Sequence, residues 1–384
     1  MRPRKATVEQ LRRHNRHLVL RAIYSGVAET RAALASMTGL TKPTISNLVT
    51  ELLSEGLVSE RGPGRSSESG GKRPTLLRFE PDSRQVIGVT VSGSRILAVL
   101  SNLAGVTSAL HMRELGPGES AIGGGLGPMT DSIAGLIPQL DAPLLCIGVG
   151  VPGRVDRAAG EVRSGGQSLA ISRELSRTFG VPTHLGNQAE LCALGQLAYA
   201  DGVDRSATLV TIMVDDTIEI GVCMAEGSIH YGSDLSDLVV RLEGADRRLR
   251  ELLSWQAVAE LARELAESHA PSLLAGQELS YLRFRASSFQ GDHATSELIG
   301  RLAGRMAPLL AWTVSTLRPA QVSIGGGPSD LGEPFLEPLR RRAEAWLPDE
   351  QLAEVVLSLA YSDQLGAMGA VALAVQAELE LLNP

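Results

Sequence analysis

Between Lys42 and Thr50 the chain reads Lys-Pro-Thr-Ile-Ser-Asn-Leu-Val-Thr, which gathers an ammonium group, an amide and several hydroxyls into a short stretch. An asparagine amide can donate to and accept from one adenine edge, a hydroxyl can serve a base or a phosphate, and lysine meets phosphate as a point charge. Ile45, Leu48, Val49 and Leu52 recur at helical spacing. At about 100° per residue the opposite face carries Pro43, Ser46, Asn47 and Thr50, with Lys42 and Thr44 at its flank. Arg61, Arg65, Lys72 and Arg73 follow in a stretch rich in Gly, Ser and Pro, where extended backbone can carry cations toward a duplex and Lys72 or Arg73 can enter an A·T-rich minor groove. The chemistry on offer is recognition of double-stranded DNA.

Such side chains need a frame. Val8, Leu11, Leu18, Val19, Ala22 and Ile23 predict a first helix from about Val8 to Ser25, ended by Gly26. Thr30 caps a short helix with Ala33, Leu34 and Met37 facing inward. A turn at Gly39-Leu40 follows, and Thr41 caps the next helix with Pro43 in its first turn. Leu57 to Glu60 and Thr75 to Phe79 read as two short strands around the basic loop. That order is a winged helix-turn-helix over residues 1–80. A polar helix face taken alone is a solvated surface, and Arg65 to Ser69 taken alone reads equally as a linker; the three-helix unit followed by a basic hairpin favours docking.

Charge divides the chain in the same place. Residues 1–80 hold 14 Lys and Arg against 7 Asp and Glu, a net of +7, which leaves −14 on the remainder. A basic head draws phosphate and releases counterions, while an acidic body keeps away from the duplex. With 384 residues, at least two domains are expected. Cys146, Cys192 and Cys223 stand apart in apolar surroundings, which predicts reduced core residues and no zinc site. The absence of a long apolar run predicts a cytoplasmic chain without membrane contact.

Beyond the head, Val86 to Val91, Arg95 to Leu100 and Val106 to Met112 read as successive strands, followed by a helix to about Leu140 and a buried strand Leu144 to Val151. A similar series begins at Ala207 to Val214 and Thr217 to Ala225. It continues to a strand Gln321 to Ile324, a Gly325-Gly326-Gly327 turn and a last helix from about Leu365. The repetition predicts two related α/β lobes flanking a cleft, residues 81–200 and residues 201–384, the second including the dimerisation region. Trp312 and Asp363 are assigned to packing or caps.

The chain resembles the ROK group of repressors and sugar kinases along nearly its whole length. The resemblance rests on Leu11-Arg12-Arg13-His14-Asn15-Arg16, Thr38-Gly39-Leu40-Thr41, Leu52-Leu53-Ser54-Glu55-Gly56-Leu57-Val58 and Gly71-Lys72-Arg73-Pro74 in the head. In the body it rests on Ile147-Gly148-Val149-Gly150-Val151-Pro152-Gly153, Arg318-Pro319 through Gly327, and Gly366-Ala367-Met368-Gly369-Ala370. It implies an actin-like, ribonuclease-H-like bilobal body and the repressor branch.

The departures from the family pattern bear on activity. The kinases' Asn-Asp pair, whose carboxylate accepts the sugar proton, reads Asn187-Gln188, and an amide cannot take that proton. The nucleotide loop corresponds to Thr90-Val91-Ser92-Gly93-Ser94, without its carboxylate. The glycine-rich phosphate loop corresponds to Met213 through Gly221, whose acids repel phosphate. The family's zinc motif is missing. No catalytic residue, metal or cofactor is therefore expected.

Gly153, Asn187, Gln188, Glu190 and His230 are the candidate contacts for a carbohydrate-like or other small effector, unless they merely cap helices and fill the interlobe surface. The expectation is a transcriptional repressor acting on a palindromic operator as a homodimer or a dimer of dimers. The alternative is a sugar kinase with a DNA-binding head, in which Glu190 or Asp156 replaces the lost base.

Overall fold

A computed structural model describes residues 8–63, 73–92, 95–116, 119, 121–122, 125–164, 167–200, 202–224, 227, 229–242, 244–276, 280–347, 351–360 and 363–381. The head opens with α1 (Val8–Tyr24), α2 (Arg31–Thr38) and α3 (Lys42–Ser54). Thr30 Oγ1 accepts from the Ala33 N–H at 3.1 Å and Thr41 Oγ1 from the Thr44 N–H at 3.3 Å, so each threonine satisfies a donor that its helix leaves open. Gly39 ends α2 at φ 69°, a backbone that glycine adopts without steric cost, and its N–H returns to Ala35 O at 3.1 Å. This fixes the short turn between α2 and α3.

Ile45, Leu48, Val49 and Leu52 bury the inner face of α3 in one apolar cluster with Leu34, Val19, Leu20, Ala22 and Ile23. Leu11, Leu18 and Met37, all expected in the core, lie outside it. Leu11 is 51% exposed because the α1–α3 seam at that level is polar, built from the pairs Arg12–Glu51 and Arg16–Glu55. Met37 is 45% exposed because α2 has only two turns, and Leu34 with Ala33 and Ala35 makes its contact with the core. The hairpin pairs β1 (Val58–Pro63) with β2 (Thr75–Phe79) antiparallel, from Val58 opposite Phe79 to Pro63 opposite Thr75. Arg65 and Lys72 lie outside the described residues.

The body repeats one sheet plan. The first series is β3 (Gln85–Ser92), β4 (Arg95–Asn102), β5 (Thr107–Glu114), α4 (Gly127–Ala134), β6 (Leu144–Val151), β7 (Arg154–Asp156), β8 (Glu161–Ser164), β9 (Gln167–Leu169), α5 (Ile171–Phe179), β10 (Thr183–Asn187) and α6 (Gln188–Tyr199). Its sheet runs β10-β6-β3-β4-β5, with β3, β4 and β5 antiparallel and β3, β6 and β10 parallel. The helix expected to reach Leu140 stops at Ala134 and gives way to a 3-10 turn at Ile137–Gln139.

The second series is β11 (Leu209–Val214), β12 (Ile218–Met224), β13 (Ile229–Asp234), β14 (Val239–Leu242), β15 (Ala245–Arg248), α7 (Leu249–Leu253), α8 (Trp255–Ser268), α9 (Tyr281–Phe289), α10 (His293–Leu317), β16 (Gln321–Gly326), α11 (Glu333–Glu344), β17 (Val356–Leu359) and α12 (Asp363–Leu379). Its sheet runs β13-β12-β11-β16-β17, again three antiparallel strands followed by two parallel ones. Buried parallel strands read as unbroken apolar runs, which is why Leu144–Val151 stands out in the sequence. Trp312 does not pack as expected; it is 48% exposed on the outer side of α10.

Although α12 closes the second series, it packs on β3, β6 and α6 of the first. A methyl group at Gly148 would overlap the Ala370 carbonyl, so the missing side chain lets the helix lie directly on the sheet. The apolar side chains of α12 then share a cluster with both the sheet and the head, joining Val371, Val375, Leu379 and Leu381 to Val19, Leu20 and Ile45. Among the described residues, no helix is long and apolar enough to cross a membrane.

Candidate functional site

On α3, Lys42, Pro43, Ser46, Asn47 and Thr50 are exposed along one face. Thr50 Oγ1 is turned back to donate to Ser46 O at 2.8 Å, and Thr44 is half-buried with its hydroxyl 2.9 Å from that of Thr41. Asn47, Ser46 and Lys42 are therefore the groups most open to an incoming duplex. Arg61 on β1 and Arg73 before β2 are exposed at the hairpin.

The head's other charges are arranged to leave these cations available. Arg12 pairs with Glu51 at 2.9 Å, Arg31 with Glu60 at 2.8 Å, and Arg16 with Glu55. The acids of α3 and β1 are thus held by arginines of α1 and α2, while no ion pair to Lys42, Arg61 or Arg73 occurs among the described residues. Neutralised acids beside free cations favour approach to phosphate.

A second cluster forms where the lobes meet. Asn187 ends β10 beside Val151 at the end of β6, and its Oδ1 accepts from the N–H groups of Ala189 and Glu190 at 3.0 and 3.3 Å, capping α6. Its Nδ2 donates to Gly153 O at 3.0 Å. The Gly153 N–H in turn donates to the carboxylate of Glu219, which comes from β12 in the other lobe. Gln188 and Glu190 are 1% and 2% exposed, and Glu219 is fully buried. The five residues expected from the sequence converge here, with the capping role of Asn187 as one part of their work.

Two members of the cluster are not anticipated by the sequence. Arg157 follows β7 and donates both to Glu190 and, at 3.2 Å, to His230 Nδ1. His230 Nε2 is left to donate to Gln376 Oε1 on α12, 3.2 Å away. Burial, then the charge of Arg157, lowers the His230 pKa to about 4, so the ring is neutral at pH 7.

Glu219 is the second. Burial raises its pKa to about 8 against the help of the Gly153 N–H, with Asp234 adding to the rise and Asn187 and Gln188 opposing it. Its Oε2 and the Oε1 of Gln188 are buried polar atoms without a hydrogen-bond partner among the described residues. The signal for Glu219 was a charged residue inside the apolar strand Ile218–Met224, which a sheet tolerates only with special surroundings.

Asp215 does on β16 what Glu219 does on β6. Its Oδ1 accepts from the Gly327 N–H at 3.0 Å, just past the end of β16. Two backbone donors at strand ends, places suited to an anion, are thereby occupied by the chain's own carboxylates. Asp156 Oδ1 accepts from the Ala159 N–H at 3.0 Å in its own turn. The free cysteines Cys146, Cys192 and Cys223 are buried, and burial pushes the Cys223 thiol up to about 12.

A capped helix-turn-helix with a hairpin beside it, set on a duplicated α/β body whose lobes meet at α6, defines a winged helix-turn-helix protein with a two-lobed α/β body. Residues 250–377 match the ROK family. It is 28% identical over 346 residues to a putative xylose repressor from Caldicellulosiruptor sp. strain Rt8B.4, covering 85% of this chain and 86% of that one.

Among solved structures it resembles a ROK family transcriptional regulator, a homolog of the E. coli MLC protein. The TM-score is 0.76 at 18% identity, over 96% of this chain and 97% of the other. It also resembles a ROK family glucokinase from Streptomyces griseus in complex with glucose and AMPPNP, with TM-score 0.61 and 20% identity, over 76% of this chain and 99% of the enzyme. The fold is thus an N-terminal helix-turn-helix followed by an actin-like α/β body.

Proposed function

We propose that the chain is a DNA-binding transcriptional repressor. In this reading α3 enters a major groove, Asn47 and Ser46 meet base edges, Lys42 meets phosphate, and Arg61, Arg65, Lys72 and Arg73 of the wing lie along the neighbouring minor groove. The observation that carries it is the exposed Ser46-Asn47-Thr50 face with Lys42 on a capped helix, in a head whose Glu51, Glu55 and Glu60 are already paired with arginines. The similarity to a putative xylose repressor supports it. Residues 1–80 form the reading unit. The rest of the chain holds two such units apart as a homodimer on a palindromic operator.

Gly153, Asn187, Gln188, Glu190 and His230, with Arg157 and Glu219, are the proposed effector contacts. Gln188 Oε1 is a buried acceptor without a donor, and Glu219 Oε2, on a carboxyl that is protonated at neutral pH, is a buried polar atom without a partner among the described residues. A carbohydrate or other polyol, which brings hydroxyl donors, suits this better than a phosphorylated ligand, whose charge the carboxylates oppose. The chain is not an enzyme in this reading. Gln188 accepts no proton, Glu190 is held by Arg157, and Glu219 and Asp215 cover the donors that an anionic group would use.

Selection of genomic fragments on the purified full chain, followed by footprinting, tests the proposal. Protection of an inverted repeat is the expected result, and uniform retention of all fragments is the result against it. A coupled ADP-release assay over a panel of sugars tests the kinase alternative, for which turnover above background is required.

A further inference from the structure

We propose that the end of α12, from Gln376 through Glu380 just beyond the helix, is the joint that carries the state of the interlobe cluster to the head, a regulatory role that rests on the repressor reading. Three polar contacts leave this single turn for three different elements. Gln376 Oε1 accepts from His230 Nε2 on β13 at 3.2 Å, Glu378 Oε1 meets His184 Nε2 on β10 at 2.8 Å, and Glu380 Oε1 lies 2.6 Å from His17 Nδ1 on α1. The contact at His17 is close but angled away from the ring's hydrogen-bond direction, in a residue only 3% exposed. Between these groups Leu379 and Leu381 are buried in the apolar cluster that holds α1 and α3.

Gln376 and Glu380 are also tied to each other, since the Glu380 N–H donates to Gln376 O at 2.9 Å. Glu380 has φ 52°, a left-handed backbone that a glutamate rarely adopts, so its position is set by what surrounds it. The rest of α12 has no such freedom. Methyl groups at Gly148 or Gly369 would overlap facing backbone, so the helix is seated directly on β6 and α6 and cannot slide.

A ligand that enters the cluster has to contend with the Glu190, Arg157 and His230 contacts. His230 is the member of that set that also holds Gln376. Release of Gln376 frees the end of α12 while its middle stays fixed, and Glu380 with Leu379 and Leu381 then shifts against α1. The turn is thus the element whose two arrangements both sites bias.

Hydrogen exchange on the full chain, without DNA or effector, tests the joint. Gln376→Ala and His230→Ala are each expected to speed exchange of the α1 amides from Val19 to Tyr24 by about tenfold or more. His230→Ala is expected to add nothing to α1 in the Gln376→Ala background. Gln376→Glu, which keeps an acceptor for His230, is expected to restore the wild-type rate and so separates the contact from mere loss of packing. Unchanged α1 exchange in Gln376→Ala, full additivity in the double variant, or failure of Gln376→Glu to restore the rate would each overturn the proposal. Because no operator is present, these outcomes are independent of the footprint that tests the repressor reading.

Discussion

Asn47 is the side chain on which base recognition turns in this account. Asn47→Ala is expected to cost about 1–3 kcal/mol on the preferred operator and to relax choice at one base position, as measured by titration of duplexes varied there. Lys42→Ala should instead weaken all duplexes alike and reduce the slope of log affinity against log salt by about 1.

Glu219 offers a test without DNA. Its buried carboxyl holds a proton up to about pH 8, whereas an unfolded chain releases it near 4.5, so the folded state binds more protons between those values. Its contribution to stability is present at pH 4 and is lost as the pH rises through 8. Denaturant midpoints measured from pH 5 to pH 8 should therefore fall with a slope that Glu219→Gln reduces; equal slopes in the two proteins would contradict the burial described for this group. The polar face of α3 was legible because helical spacing separates it from the apolar one. Glu219 and Arg157 were not, since their roles depend on strands of two lobes meeting across α6.

At the scale of elements, the head depends on its caps and the body on close approach. Thr41→Ala removes the acceptor for the Thr44 N–H at the start of α3 and should cost about 1 kcal/mol, seen as a lower midpoint in unfolding of the full chain. Gly148→Ala sets a methyl group against the Ala370 carbonyl and should destabilise by about 1–3 kcal/mol or more, with faster exchange along α12. Caps, turns and apolar periods are local, so α2, α3 and the hairpin could be read from residues 30–79, with Met37 misplaced in the core. The placement of α12 is not local. Nothing in its own apolar composition says which lobe it covers, and the decisive features include Gly148 on β6 and Gly195 on α6, where a methyl group would overlap the α12 backbone, both far away in sequence.

For the molecule as a whole, the duplication of one sheet plan was visible in the repeated strand series, and the +7 on residues 1–80 against −14 on the remainder set the basic helix-turn-helix segment apart. The central claim is that this head distinguishes a DNA sequence. The most direct measurement is the ratio of the full chain's affinities for its selected duplex and for a scrambled duplex of equal length at one fixed salt concentration. The account predicts a ratio of about 10³ or more. A ratio near one, with both duplexes bound or neither, would contradict it.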